Sequence, residues 1–185
     1  MKVYVVRVGN VEEEVLEFIR KGLEETFYRG FCVISEHIIE VPSGSYNRVR
    51  QQYISEPILN EVLKFALSLE REAGEPCIVL GVADIDIYTP GMNFIFGEAQ
   101  CPGKAAIISL FRLRPEFYGE EPNRQLFMER AVKEAVHEIG HMLGLRHCGN
   151  PVCVMHFSLH IGMTDMKTSK FCRDCMSKLK AMMVL

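Results

Sequence analysis

Apolar positions fall into short runs up to about residue 110 and then onto one face of a long helical stretch. Lys2 to Val8 predicts a buried strand, and Val11 to Thr26 an amphipathic helix with Val15, Leu16, Ile19 and Leu23 on one face. Glu12 to Glu14 is a solvated helix start, where negative charge suits the dipole. Phe31 to Val41 predicts a second strand, with His37 on its surface. Ser43-Gly44-Ser45-Tyr46-Asn47 marks a loop, and Pro57 opens a helix running to about Glu70, with Ile58, Val62, Phe65, Ala66 and Leu69 as its apolar stripe. The continuous apolar run from Cys77 to Ala83 suits a central strand. Pro90-Gly91 and the cluster from Gly97 to Gly103 break two further strands, Asn93 to Phe96 and Ala105 to Leu110. From Asn123 a long helix runs to about Leu143, packing Leu126, Met128, Ala131, Val132, Ala135, Val136 and Ile139 under a sheet.

Helix alternating with strand implies an α+β fold with a mixed, twisted sheet. The chain has 185 residues, 48% hydrophobic and 24% charged, enough to bury a core as one domain over 1–185. A net charge of −3 without a basic run gives no electrostatic support for nucleic-acid binding. Met1 to Val8 is too short and interrupted for a signal-peptide core, and no run approaches the ~18 apolar residues of a membrane span. A cytoplasmic monomer is expected, in a compartment that keeps thiols reduced.

The chemistry is concentrated in His137-Glu138-Ile139-Gly140-His141-Met142-Leu143-Gly144-Leu145-Arg146-His147. Residues four apart share a helix face, so His137 and His141 can aim ring nitrogens at one metal about 2 Å away, with Glu138 beside it. Gly144 can take the left-handed conformation that ends a helix, which lets His147 return as third ligand. The fourth position of a zinc held this way stays open for water, whose proton Glu138 can take. That is hydrolysis of a peptide bond without a covalent intermediate. An ordinary amphipathic helix that carries histidines is the bland alternative, which the added Gly144 and His147 disfavour.

Cys148, Cys153, Cys172 and Cys175 follow within 28 residues as two pairs, while Cys32, Cys77 and Cys101 are scattered. Four thiolates make a closed tetrahedral zinc site that contributes folding free energy and does no chemistry. The odd total of seven cysteines and the lack of a secretory signal disfavour two disulfides. Without a basic run beside it, the four-cysteine site is not read as a DNA-binding finger.

The pattern H-E-x-x-H-x-x-G-x-x-H followed by Met155 is that of the metzincins. Its continuation, C-x4-C-V-M to the final C-x-x-C, resembles the archaemetzincin family in particular. Upstream, Asp84 to Tyr88, Asn93 to Gly97 and Ala106 to Leu110 resemble it too, so the likeness extends over most of the chain. It implies that His137, His141 and His147 hold a catalytic zinc, that Glu138 is the general base, and that Met155 packs beneath the metal in a Met-turn without ligating it. It further implies that the four cysteines hold a second, structural zinc. In the expected architecture, residues 1–147 form an upper region with a sheet, a backing helix and the active-site helix. Residues 148–185 form a lower region with the Met-turn, the zinc-tied segment and a C-terminal helix. One sheet edge, within Phe94 to Ser109, should lie above the zinc and pair with an extended substrate. No Tyr can assist the metal from behind the Met-turn, because all six precede the helix.

His156 and His160 lie close enough to the Met-turn to line a pocket, though a hydrogen-bonded wall is the commoner role. Cys101 could in principle close the open zinc position, as cysteines of some metzincin pro-segments do. Structured sequence beginning at residue 2 leaves no room for such a segment, so Cys101 is expected to be a loop thiol. The function expected is a zinc peptidase acting on short or unfolded peptides, since a short lower region leaves little for a deep specificity pocket. Two other classes remain open: a catalytically silent, zinc-stabilised peptide-binding module, and a zinc amidohydrolase acting on a small amide.

Overall fold

The structure, a computed structural model, describes residues 2–183. Met1, Val184 and Leu185, which the domain bounds 1–185 include, lie outside the described residues. Its elements are β1 (Lys2–Val8), α1 (Glu13–Thr26), β2 (Cys32–Ile39), β3 (Tyr46–Asn47), β4 (Gln52–Ile54), α2 (Ser55–Ala73), β5 (Cys77–Ala83), β6 (Ile87–Tyr88), β7 (Gly97–Ala99), β8 (Ala105–Ser109), α3 (Arg124–Met142), α4 (Ile161–Met166) and α5 (Arg173–Met183). A five-stranded sheet has the order β2-β1-β5-β8-β7, and β3-β4-β6 form a small second sheet. All pairings of the main sheet are parallel except β7 with β8, so the sheet is mixed as expected.

The period-2 alternation of the strands builds two cores at once. Val3 and Val5 of β1, Ile78, Leu80 and Val82 of β5, and Ala106 and Ile108 of β8 face α1 and α3. Val6 and Val8, Val79 and Ala83, and Ala105 and Ile107 face α2, where Ile58, Val62 and Ala66 meet them. Central strands covered on both faces read as unbroken apolar runs, which explains the fully buried pattern of β5. On α1 the buried residues are Val15, Leu16, Ile19 and Leu23, the stripe predicted from spacing.

Gly22 lets α1 and α3 approach closely, because a Cβ there would lie 2.5 Å from Val132 Cγ1 and 2.8 Å from its Cγ2. Alanine at a helix-interior glycine ordinarily gains about 1 kcal/mol, whereas forcing a carbon into a packed interface costs roughly 1–3 kcal/mol. Gly22→Ala is therefore expected to lower the stability measured by denaturant unfolding, and adding Val132→Ala should recover some of the loss. Unchanged stability in the single variant would show that the helices can separate freely.

Four expectations need correction. Asn93 to Phe96 forms no strand, because its backbone bonds singly, Ile95 N–H to Ile87 C=O and Phe96 C=O to Ser109 N–H, while Arg50 and Gln52 side chains donate to the Asn93 carbonyl at 2.8 and 2.9 Å. Gly97, taken as a strand breaker, instead begins the edge strand β7. Helix α2 begins at Ser55, two residues before Pro57, with Ser55 Oγ donating to Tyr88 C=O at 3.1 Å. At the start of α3, Asn123 caps the helix by accepting from Leu126 N–H at 3.0 Å. The inward residue of that turn is Phe127, 3% exposed, and Leu126 is only half-buried. Among the described residues no helix is long and apolar enough to cross a membrane.

Candidate active site

α3 carries His137, Glu138 and His141 in its last turns, with His137 and Glu138 buried and His141 half-buried. The helix ends at Met142, and Gly144 takes φ +98°, a left-handed value that suits a residue without Cβ. Gly144 N–H then bonds His141 C=O and Leu145 N–H bonds Gly140 C=O, a turn that sends His147 back toward the helix. The ligand-capable nitrogens of His137, His141 and His147 lie within 4.8 Å of one another.

Hydrogen bonds fix two of these rings. His137 Nδ1 is 2.7 Å from Val154 C=O, and His141 Nδ1 is 2.7 Å from Leu145 C=O. A carbonyl cannot donate, so each Nδ1 carries the proton and each Nε2 presents a bare lone pair. These two Nε2 atoms stand 3.1 Å apart. Ligands about 2.0–2.1 Å from a tetrahedral zinc sit roughly 3.3 Å from each other, so the separation fits that ion. Burial pushes the His137 imidazole well below its ordinary value, with Lys167 and His141 adding to the effect, and burial lowers His141 and His147 too. Neutral rings are the form a metal binds.

Glu138 is 4% exposed. Burial raises its carboxyl well above the ordinary range, the neighbouring Glu134 and Glu98 push the same way, and Lys167 opposes them. Directly above it, a Cβ on Gly97 would lie 2.5 Å from Glu138 Oε1, so only glycine lets the edge strand come this close to the carboxylate. Met155 is fully buried and its Sδ occupies the space where a Cβ on Gly140 would sit, which places it against α3 between the two helical histidines. The same turn supplies the Val154 carbonyl that orients His137.

The four cysteine sulfurs also lie within 4.8 Å of one another, and none forms a disulfide. Cys148 and Cys172 Sγ are 3.8 Å apart, far beyond the ~2.05 Å of a disulfide and equal to the separation expected when four sulfurs sit ~2.3 Å from one zinc. Backbone N–H groups already serve them: Asn150 donates to Cys148 Sγ at 3.5 Å and Cys172 to Cys153 Sγ at 3.2 Å. Hydrogen bonds, the largest from the Cys175 N–H and the others from the neighbouring thiols of Cys153, Cys175 and Cys148, lower the Cys172 thiol to about 7 against the opposing effect of burial.

A cavity of about 300 Å³ runs over the histidines, with Phe94, Phe96 and β7 above and Phe157 to Leu159 below. Cys101 lines it as well, its Sγ 3.4 Å from Leu145 C=O, the carbonyl that also holds His141. His156 and His160 do not line it: His156 Nδ1 is 3.0 Å from Cys148 C=O, and His160 is exposed at the start of α4. His37 is exposed on β2 and stacks on Phe65 at 4.6 Å, far from this cleft in the fold.

The sequence reading missed four polar residues of the cavity wall, Glu98, Glu134, Ser158 and Lys167. Glu134 and Lys167 form a buried ion pair at 3.1 Å, with Thr164 Oγ1 donating to Glu134 Oε1 at 3.1 Å. Lys167 Nζ also reaches His156 C=O at 3.5 Å and so ties the Met-turn to α3. Glu98 Oε2 and Ser158 Oγ are buried without a hydrogen-bond partner among the described residues. Glu134 could have been found, because it lies one turn before Glu138 on the same helix face. Lys167 carries no local signal, since only the fold brings it there.

A family model described as "Peptidase family M54" matches residues 10–181. An archaemetzincin of Methanocaldococcus jannaschii is 46% identical over 180 residues, covering 97% of this chain and 93% of that one. An archaemetzincin of Pyrococcus furiosus is 43% identical over 181 residues, covering 96% and 92%. The crystal structure of an archaemetzincin from Methanopyrus kandleri superposes with a TM-score of 0.83 at 32% identity, covering 100% of this chain and 96% of that chain.

Proposed function

The chain belongs to peptidase family M54, the archaemetzincins, and is by that membership a zinc metalloprotease; from this premise we propose that it cleaves short or unfolded polypeptides with Glu138 as general base. His137, His141 and His147 would hold the catalytic zinc. The observation that carries this reading is the pair of bare Nε2 lone pairs 3.1 Å apart beside a buried carboxylate. When bound, zinc supplies a Lewis acid that acidifies water and polarises a carbonyl oxygen.

The chain's own groups do the rest. Glu138 accepts the proton of the attacking water and returns it to the leaving amine, a shuttle favoured by the raised proton affinity that burial gives it. Val154 and Leu145 carbonyls hold the imidazoles in the binding tautomer. β7 offers a sheet edge for an extended peptide. Cys148, Cys153, Cys172 and Cys175 would hold a second, structural zinc, and Met155 would cushion the histidine platform. The chain would act as one domain, with residues 1–147 as its upper region and residues 148–185 as its lower region, and as a cytoplasmic monomer with no nucleic-acid partner.

Metal quantification with turnover of a peptide library tests the reading. About two zinc ions per chain are expected, with turnover that a chelator abolishes and added zinc restores. Zinc-loaded protein that binds peptides and cleaves none would favour a binding module, and cleavage confined to small amides an amidohydrolase. Turnover that survives complete metal removal would sink the proposal.

A further inference from the structure

We propose that Glu98 selects substrates with a basic side chain at the residue that lies opposite it on the cleft edge, an inference that rests on the peptidase reading above. The register of β7 carries it. Phe96 C=O accepts from Ser109 N–H, Gln100 N–H donates to Ala105 C=O, and Glu98 pairs with Ile107 between them. Residues 96, 98 and 100 therefore turn their backbone groups toward β8, and by alternation Gly97 and Ala99 turn theirs toward the free edge.

A peptide added to that edge bonds through Gly97 and Ala99 and places one of its residues directly opposite Glu98, at a position without hydrogen bonds between the two. There the side chains of neighbouring strands come closest, about 4.5–5.5 Å between Cβ atoms, and an opposite-charge pair is favourable. Glu98 lines the cavity, and its Oε2 is buried without a partner among the described residues. The one lysine of the cavity wall, Lys167, is already held by Glu134 at 3.1 Å. A buried carboxylate oxygen with no donor is costly, and an ammonium or guanidinium on the substrate supplies the donor. The peptide continues past Glu98 on both sides in this pairing, so a side chain and not the chain terminus arrives there.

Acetylated tripeptide hydroxamates, which chelate the zinc of the loaded protein, test this without requiring turnover. One residue at a time is lysine or norleucine and the others are alanine. At one position lysine is expected to bind about tenfold tighter than norleucine, the scale of a charged hydrogen bond. Glu98→Gln should erase that difference, leaving the lysine and norleucine probes equal at that position, without lowering the melting temperature. Equal binding of lysine and norleucine at every position overturns the proposal, as does a lysine preference that survives Glu98→Gln. So does a Glu98-dependent gain seen only when the amino terminus is left unacetylated. Failure of every hydroxamate, all-alanine included, to bind zinc-loaded protein overturns the peptidase reading and this inference with it.

Discussion

Glu138→Gln is expected to lower peptide turnover by about 10²- to 10⁴-fold, the usual contribution of a positioned general base, with zinc content unchanged. Glutamine has the same shape, so it should fit beneath Gly97, where a Cβ would lie only 2.5 Å from Oε1. The His137 and His141 rings are held by the Val154 and Leu145 carbonyls, and neither bond involves Glu138. Stability should not fall, because a neutral amide is easier to bury than the carboxylate it replaces. Steady-state turnover, metal analysis and thermal unfolding on one preparation check all three points. Undiminished turnover in a zinc-loaded variant would remove Glu138 from the chemistry.

Cys175→Ser should have the largest effect on stability. Cys175 is 4% exposed and its sulfur belongs to the four-sulfur cluster, which links the turn after His147 to the start of α5. Structural zinc binding is worth roughly 10–16 kcal/mol in small zinc modules, and a serine hydroxyl is a poor substitute for a thiolate. The variant is expected to lose about one zinc per chain and several kcal/mol of stability. Limited proteolysis should then cut between residues 148 and 175 long before it reaches β1 or β5. The bidentate Arg130–Asp165 pair at 2.7 Å, in which Arg130 is buried, and the buried Lys167–Glu134 pair still attach α4 to α3, so the upper core should stay folded. Full zinc content and an unchanged melting temperature would show the cluster to be four ordinary thiols.

The strongly periodic elements were legible from sequence because two packed faces dictated them. β1, β5, α1 and α3 have boundaries within about two residues of the pattern. The histidines, Glu138 and the cysteines were legible because their spacing encodes geometry within one helix, one turn and one short segment. The stretches from Ser43 to Ile54 and from Asp84 to Gly97 were not. Their small strands β3, β4 and β6 are defined by contacts such as Arg50 to the Asn93 carbonyl and Asn47 Nδ2 to Tyr88 Oη, which link residues more than 40 positions apart. Lys167, Glu98 and Ser158 were illegible for the same reason. Each is an ordinary surface-type residue until the chain folds around it. Gly97 misled because a glycine signals flexibility locally, whereas here it records how close a neighbouring carboxylate comes.

His147 and Cys148 are adjacent, and they serve two separate donor sets. With Cα atoms about 3.8 Å apart there is no spacer in which an insertion or deletion could be absorbed. Lineages that altered one set by changing chain length here would have spoiled the other in the same event. An insertion or deletion at this junction is thus expected to displace a member of each set at once.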